Sequence, residues 1–322
     1  MDISLYTKIQ EYQTFALFGH QNPDGDAIGS VLAMRKILIW LGKTVSCYIP
    51  DSPSRIFADL PDIACISQKF DYGQYDCIMF LDFSTYNRIA SFTTWYEQYF
   101  DSQYKIIIDH HICYHPPWQL NLIDPSASSN CEWIYEHIVW HYQIDSYIAN
   151  YLYLGLMTDT GNFTYEQDSA RTLSIALGLI NAWADKKWLI DHIWRSKTHS
   201  QVRFLWLLIQ RLQSQWSISW SRYDEQDLQD YQLDSEEAKF GLGIIQSLSD
   251  IRVTVLFKKN HDILQVSLRS KDISDLDAPD VSQIAHYFGG GGHHQASGFR
   301  VPYAGDLDSQ MHIILQQIVS MI

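Results

Sequence analysis

Three short stretches of almost unbroken apolar residues each stop at a histidine or an aspartate. Thr14 to Gly19 (TFALFG) runs into His20, Cys77 to Leu81 into Asp82, and Ile106 to Ile108 into Asp109. A strand that is apolar at every position has no face to offer to water. It must be covered on both sides, which is the usual state of a parallel sheet packed between helices. The intervening sequence fits that reading. Asp26 to Leu41 spaces Ile28, Val31, Leu32, Leu38 and Ile39 as a helix does, Thr44 to Ile49 reads as another strand, and Ser128 to about Ala184 is mostly helical in pattern. Strands alternating with helices predict an α/β fold with a mainly parallel sheet.

The texture changes beyond about residue 185. Ser200 to Gln213 (SQVRFLWLLIQRLQ) has the spacing of an amphipathic helix. After it, Trp216 to Trp220, Arg252 to Phe257 and Ile263 to Leu268 alternate apolar and polar residues. The last two are separated by a turn-like segment and predict a hairpin. Asp280 to Phe288 reads as a short helix, followed by four glycines, Gly289 to Gly292, and a strand-like Ser297 to Val301. The expected organisation is a catalytic domain over 1–185, a helical linker over 186–215 and a smaller α+β substrate-binding domain over 216–322.

With 23 basic and 37 acidic residues the chain has a net charge of −14. A protein that coats long duplex DNA needs a broad basic face, so that class is disfavoured. A small anion held in a local pocket remains open. Five cysteines, Cys47, Cys65, Cys77, Cys113 and Cys131, include no C-x-x-C pair and argue against a disulfide framework or a zinc ribbon. No basic stretch followed by an apolar run opens the chain, and Ile28 to Leu41 is broken by Arg35 and Lys36. The expectation is a cytoplasmic protein without membrane spans.

The residues suited to chemistry gather where strands end. In His20-Gln21-Asn22-Pro23-Asp24-Gly25-Asp26 a strand stops at an imidazole and two carboxylates flank a glycine at the mouth of a helix. Helix capping accounts for one aspartate. It does not account for a second aspartate and a histidine beside it. Asp82, Asp109-His110-His111 and Asp159 follow other apolar segments. Each alone is ordinary, since a lone aspartate after a strand is usually a turn residue. Taken together, His20, Asp24, Asp26, Asp82, His110 and Asp159 are expected on one rim of the sheet, where α/β proteins bind ligands. Six oxygen and nitrogen donors without cysteine suit two divalent ions, Mn²⁺ or Mg²⁺ rather than Zn²⁺. Such a pair can activate water for phosphoryl displacement.

This set resembles the DHH phosphoesterase superfamily. The matching motifs are His20-x-x-Pro23-Asp24-Gly25-Asp26, Asp82, Asp109-His110-His111 and Asp159, with Gly290-Gly291-Gly292-His293 similar to the glycine motif of a DHH-associated C-terminal domain. The likeness is greatest to the stand-alone nanoRNase and pAp phosphatase branch. The resemblance implies that His20, Asp24 and Asp82 hold one metal and that Asp26, Asp82, His110 and Asp159 hold the other. It also implies that His111 lies beside the scissile phosphate and that Asp109 orients the motif. Arg269 matches a phosphate-binding arginine, whose planar fork suits a phosphate, and the glycine run offers backbone amides to an anion. Two positions depart from the family pattern. Ala296-Ser297-Gly298 stands where Ala-Ala-Gly is frequent, and Asn130 stands where threonine is common. His115, His137, His141, His192 and His199 fit no site pattern, and the eleven Trp, 20 Tyr and 14 Phe are read mostly as core.

The implied function is Mn²⁺-dependent hydrolysis of very short oligoribonucleotides to mononucleotides, with pAp 3′-phosphatase activity beside it. A cyclic-dinucleotide phosphodiesterase would use the same residues. An inorganic pyrophosphatase fits less well, and a non-catalytic nucleotide sensor would be favoured by a missing ligand, of which there is none. Short RNA or mononucleotides such as pAp are the expected partners. The oligomeric state is left open, a homodimer among the options.

Overall fold

In a computed structural model of the chain, which describes residues 3–113, 118–139, 144–164, 169–273 and 277–322, the polypeptide divides into two units, Met1–Ser196 and Lys197–Ile322. The dividing point lies within the 186–215 stretch.

The first unit is built on six strands: β1 (Thr14–Phe18), β2 (Thr44–Tyr48), β3 (Ile66–Ser67), β4 (Cys77–Leu81), β5 (Tyr104–Asp109) and β6 (Leu120–Ile123). They are ordered β3-β2-β1-β4-β5-β6 and every pairing is parallel. The apolar runs are explained by what lies on each face. Phe15, Leu17, Met79, Leu81, Ile106 and Ile108 enter one core and Ala16, Phe18, Ile78, Phe80 and Ile107 the other. The second core is strongly aromatic. Phe18 meets Phe70, Phe92 and Phe100 edge-on at 5.0–5.8 Å, so these rings are packed side chains and offer no surface for stacking bases. The strand order reverses direction between β1 and β4, and ligands of such sheets bind at that switch, off the carboxyl ends.

Three helices cover the side that bears the site residues: α1 (Gly25–Trp40), α2 (Asn130–His137) and α3 (Ser146–Asp159). Helices α1 and α3 bury most of their residues, Asp26 to Met34 in the first and Tyr151 to Met157 in the second without a break. Their approach is close because glycines line the seam. A Cβ on Gly29 would collide with the Tyr151 carbonyl, and one on Gly155 with Cys131 Sγ and Asp26 Oδ1. No helix among the described residues is long and apolar enough to cross a membrane.

The second unit has a six-stranded mixed sheet: β7 (Gln213–Gln215), β8 (Ile218–Asp224), β9 (Val253–Asn260), β10 (Ile263–Ser270), β11 (Gly291–His293) and β12 (Ala296–Pro302). Its order is β11-β12-β10-β9-β8-β7, antiparallel except for β8 beside β9. The expected hairpin is β9–β10, closed on His261 and Asp262. Helix α4 (His199–Gln210) packs Phe204 and Leu208 into this unit's own core with Tyr223, Leu228 and Leu242.

The seam makes a direct prediction. Gly155→Ala should lower stability by about 1–3 kcal/mol, the usual cost of overpacking, read as a drop in Tm. An unchanged Tm would show that the helices can part without strain.

Candidate metal centre

Each site residue is placed by the end of a secondary-structure element. His20 follows β1 and is 2% exposed. Its Nδ1 lies 2.8 Å from the Gln21 carbonyl. A proton on Nδ1 donated there turns the Nε2 lone pair inward, where it is 3.4 Å from Asp82 Oδ2 and 3.9 Å from Asp24 Oδ1. Asp24 is the N-cap of α1, accepting from the Asp26 and Ala27 amides at 3.2 and 3.1 Å. Capping and site membership therefore coexist in one side chain.

Asp82 follows β4 with φ +67°, a left-handed conformation that residues with a Cβ seldom adopt. Its carboxylate is buried beside the imidazoles of His20, His110 and His111. Asp26 lies in the first turn of α1 and is fully buried. The first amides of α2 meet it, Asn130 N–H donating to Oδ2 at 2.6 Å and Cys131 N–H to Oδ1 at 2.9 Å. Asp159 is the last residue of α3. His110 joins these groups: its Nε2 lies 3.3 Å from Asp82 Oδ1, 3.3 Å from Asp159 Oδ2 and 3.6 Å from Asp26 Oδ2.

The donor atoms fall into groups of three, each within 4.8 Å: His20, Asp24 and Asp82; Asp26, His110 and Asp159; and Asp82, His110 and His111. Four carboxylates with imidazoles and no thiolate form a hard donor set that fits divalent cations. Asp82 Oδ1, fully buried and without a hydrogen bond among the described residues, is an acceptor directed into this cluster.

The orienting contacts of the motif are divided: the Ala127 carbonyl lies 3.2 Å from His110 Nδ1. Asp109 Oδ1 instead accepts from the His110 and His111 amides at 2.8 and 3.1 Å and lies 2.8 Å from His111 Nδ1. It fixes the turn and the second imidazole. Sequence reasoning missed the α2 amides on Asp26 and the spacer Gly155. The Ser128-Ser129-Asn130 run before a helix was the one local sign of the former.

The remaining expected residues belong to the second unit. Arg269, half-buried on β10, donates from Nη1 to the Leu268 carbonyl at 2.9 Å. The glycine run is less open than a nest of free amides. Gly289 and Gly290 donate to the His286 and Ala285 carbonyls at 2.9 and 2.8 Å, because they terminate a short helix. Gly291, Gly292 and His293 form edge strand β11, and the His293 side chain lies outside the described residues. Gly290 must lack a side chain, since a Cβ would meet the Gly298 carbonyl. His115 and His141 lie outside the described residues, while His137 packs on Trp133 and His192 on Trp188.

The electrostatics are those of crowded buried acids. Burial, with Asp82 and Asp159 nearby, holds the Asp26 carboxyl well above the usual range. Burial lifts Asp159 to about 6, helped by Asp24 and Asp82 against the pull of His110. Asp82 is driven the other way: burial opposes its charge, but His110 and His20 outweigh it. His110 is raised by Asp82, Asp159 and Asp26 against the effect of burial. A group such as Asp159, raised on folding, favours the fold below the ordinary carboxylate pKa and loses that contribution as pH rises through about 6. A cation would reverse this by displacing the proton. Mn²⁺ should therefore raise Tm clearly at pH 7.5. At pH 5, displacing the Asp159 proton alone should weaken binding by about 10-fold. Equal Tm gains at both pH values would contradict the assignment.

Residues 14–157 match the DHH family N-terminal domain. The chain is 26% identical over 304 residues to the bifunctional oligoribonuclease and PAP phosphatase NrnA of Bacillus subtilis, covering 92% of each. It is 25% identical over 310 residues to the Thermus thermophilus protein of the same name, covering 93% of this chain and 87% of that one. In fold it is similar to an exopolyphosphatase-related protein from Bacteroides fragilis, with a TM-score of 0.85, 22% identity, and 99% of this chain and 95% of that one covered. The motif residues from His20 to His111 lie inside the matched stretch and Asp159 lies just beyond it, so the chain carries a DHH family N-terminal domain and is similar to these relatives over most of its length.

Proposed function

We propose that this phosphoesterase hydrolyses very short oligoribonucleotides to mononucleotides and removes the 3′-phosphate of pAp, using two divalent ions, Mn²⁺ by preference. The observation that supports it most is Asp82, whose two oxygens face separate imidazoles, Oδ2 toward His20 and Oδ1 toward His110. A carboxylate so placed suits a bridge between two ions. The substrate class follows relatives that are named oligoribonuclease and PAP phosphatase and align over about nine-tenths of this chain.

In this reading His20 and Asp24 hold one ion, Asp26, His110 and Asp159 the other, and Asp82 both. Divalent ions bound there supply Lewis acidity for the phosphoryl oxygens and a lowered pKa for water. The protein's own groups do the rest. His20 and His110, fixed by the Gln21 and Ala127 carbonyls, present Nε2 without reorganisation. His111 is raised by Asp109, against burial, so its imidazole favours the protonated form. That suits a proton donor to the leaving oxygen. Arg269, Gly290, Gly291, Gly292 and His293 are proposed to grip a second phosphate of the substrate, with the edge strand β11 in place of the open amide nest.

Asp82→Ala should lower kcat by at least about 10³, the scale of losing a main electrostatic stabiliser. Near-normal turnover by the folded variant would exclude a bridging role. Substrate length gives an independent check. A chain with net charge −14 offers no long basic track for a single strand. Turnover should be best on about two to four nucleotides and fall steeply beyond, because longer strands need such a track. Time courses on labelled RNAs of graded length measure this, and a 20-mer degraded as fast as a dimer would refute it.

A further inference from the structure

We infer that Asn130 is a positioning residue for the metal centre, tying the backbone of Asp82 and the carboxylate of Asp26 to one fixed point. The inference rests on the two-ion reading of the site but not on the substrate assigned to it.

Asn130 is fully buried at the start of α2. Its backbone N–H donates to Asp26 Oδ2 at 2.6 Å. The amide orientation that satisfies both of its arms sends Nδ2 to the Ile108 carbonyl at 3.0 Å. Oδ1 then accepts from the Asp82 N–H at 3.2 Å and from Ser30 Oγ at 3.0 Å. One side chain thus joins the end of β5, the residue after β4 and the buried face of α1. Asp82, at φ +67°, is in a region that persists in non-glycine residues only when the surroundings over-determine it. The Asp82 N–H donates to the Ile108 carbonyl at 3.0 Å and finds in Asn130 Oδ1 a second acceptor, so the asparagine amide braces both partners of that bond, and Ile108 is the residue before Asp109 and His110. The same residue therefore touches the supports of Asp26, Asp82 and His110, while its side chain contacts none of the donor atoms.

Asparagine suits this task for a stereochemical reason. Its planar amide has a donor and an acceptor on separate atoms, which can reach the Ile108 carbonyl and the Asp82 N–H together. Threonine has one hydroxyl oxygen on a shorter, branched side chain and must perform both functions from a single atom.

The test is Mn²⁺ titration of the purified protein without substrate, by calorimetry or by the electron paramagnetic resonance signal of free Mn²⁺. Asn130→Ala should weaken Mn²⁺ binding by about 10–100-fold, the range for groups that orient metal ligands. Asn130→Thr should fall between it and the natural protein. Turnover of a dinucleotide should show kcat reduced while KM changes little, since the residue does not meet substrate. Natural Mn²⁺ affinity in both folded variants, with only Tm lowered, would overturn the inference. So would natural affinity in Asn130→Thr if the alanine variant does not fold. Because the titration omits substrate, an error in the substrate assignment would appear as lost turnover on the natural protein and leave this result unaffected.

Discussion

Asp82 stands at the end of a strand whose five residues are all buried, and its own carboxylate is 2% exposed. A charge in that position loses most of its hydration, which is unfavourable unless opposite charge replaces the lost water. The imidazoles of His20 and His110 lie against its two oxygens where water would otherwise stand. They do not neutralise Asp26 and Asp159, which crowd the same space and are held toward their protonated forms. The cluster therefore contains more negative charge than its histidines can balance, and cations resolve that excess. The geometry of the first unit can be understood as the means of keeping these acids together.

The means are mostly backbone. The parallel sheet brings the ends of β1, β4 and β5 side by side, and the reversal of strand order between β1 and β4 opens the place where their end residues meet. Glycines at 29 and 155 let α1 and α3 approach closely enough for Asp159 to reach His110. The first turn of α2 directs two amides at Asp26, and its dipole favours the charged carboxylate there. Peptide carbonyls at Gln21 and Ala127 orient the two histidines. Little of this depends on side chains that would have to be ordered on binding, which is what preorganisation of a site requires.

Much of the first unit was legible in the sequence because its signals are local. Runs such as Cys77 to Leu81 can only be strands covered on both faces, and a histidine or aspartate directly after such a run must emerge at the sheet edge. The short strands β3 and β6 gave no such signal, being two and four residues long. The roles of Gly155 and Asn130 were not legible, because each is defined by a residue distant in sequence: Asp26 for both, and Asp82 and Ile108 for the asparagine amide. The glycine run was read for its exposed amides. It forms instead a helix end and an edge strand, because Gly290 and Gly292 approach the backbone of β12 too closely for any side chain. Periodicity does not report such an approach.

The central claim is that the acids and imidazoles at this sheet edge form two cation sites that share Asp82. Anomalous scattering at the manganese edge, from crystals grown with Mn²⁺, tests it without reference to any substrate. The account predicts two peaks, one among His20, Asp24 and Asp82 and the other among Asp26, Asp82, His110 and Asp159, with the Asp82 carboxylate contacting both. No peak in this cluster, or a single ion that leaves His20 and Asp24 uncoordinated, would contradict it.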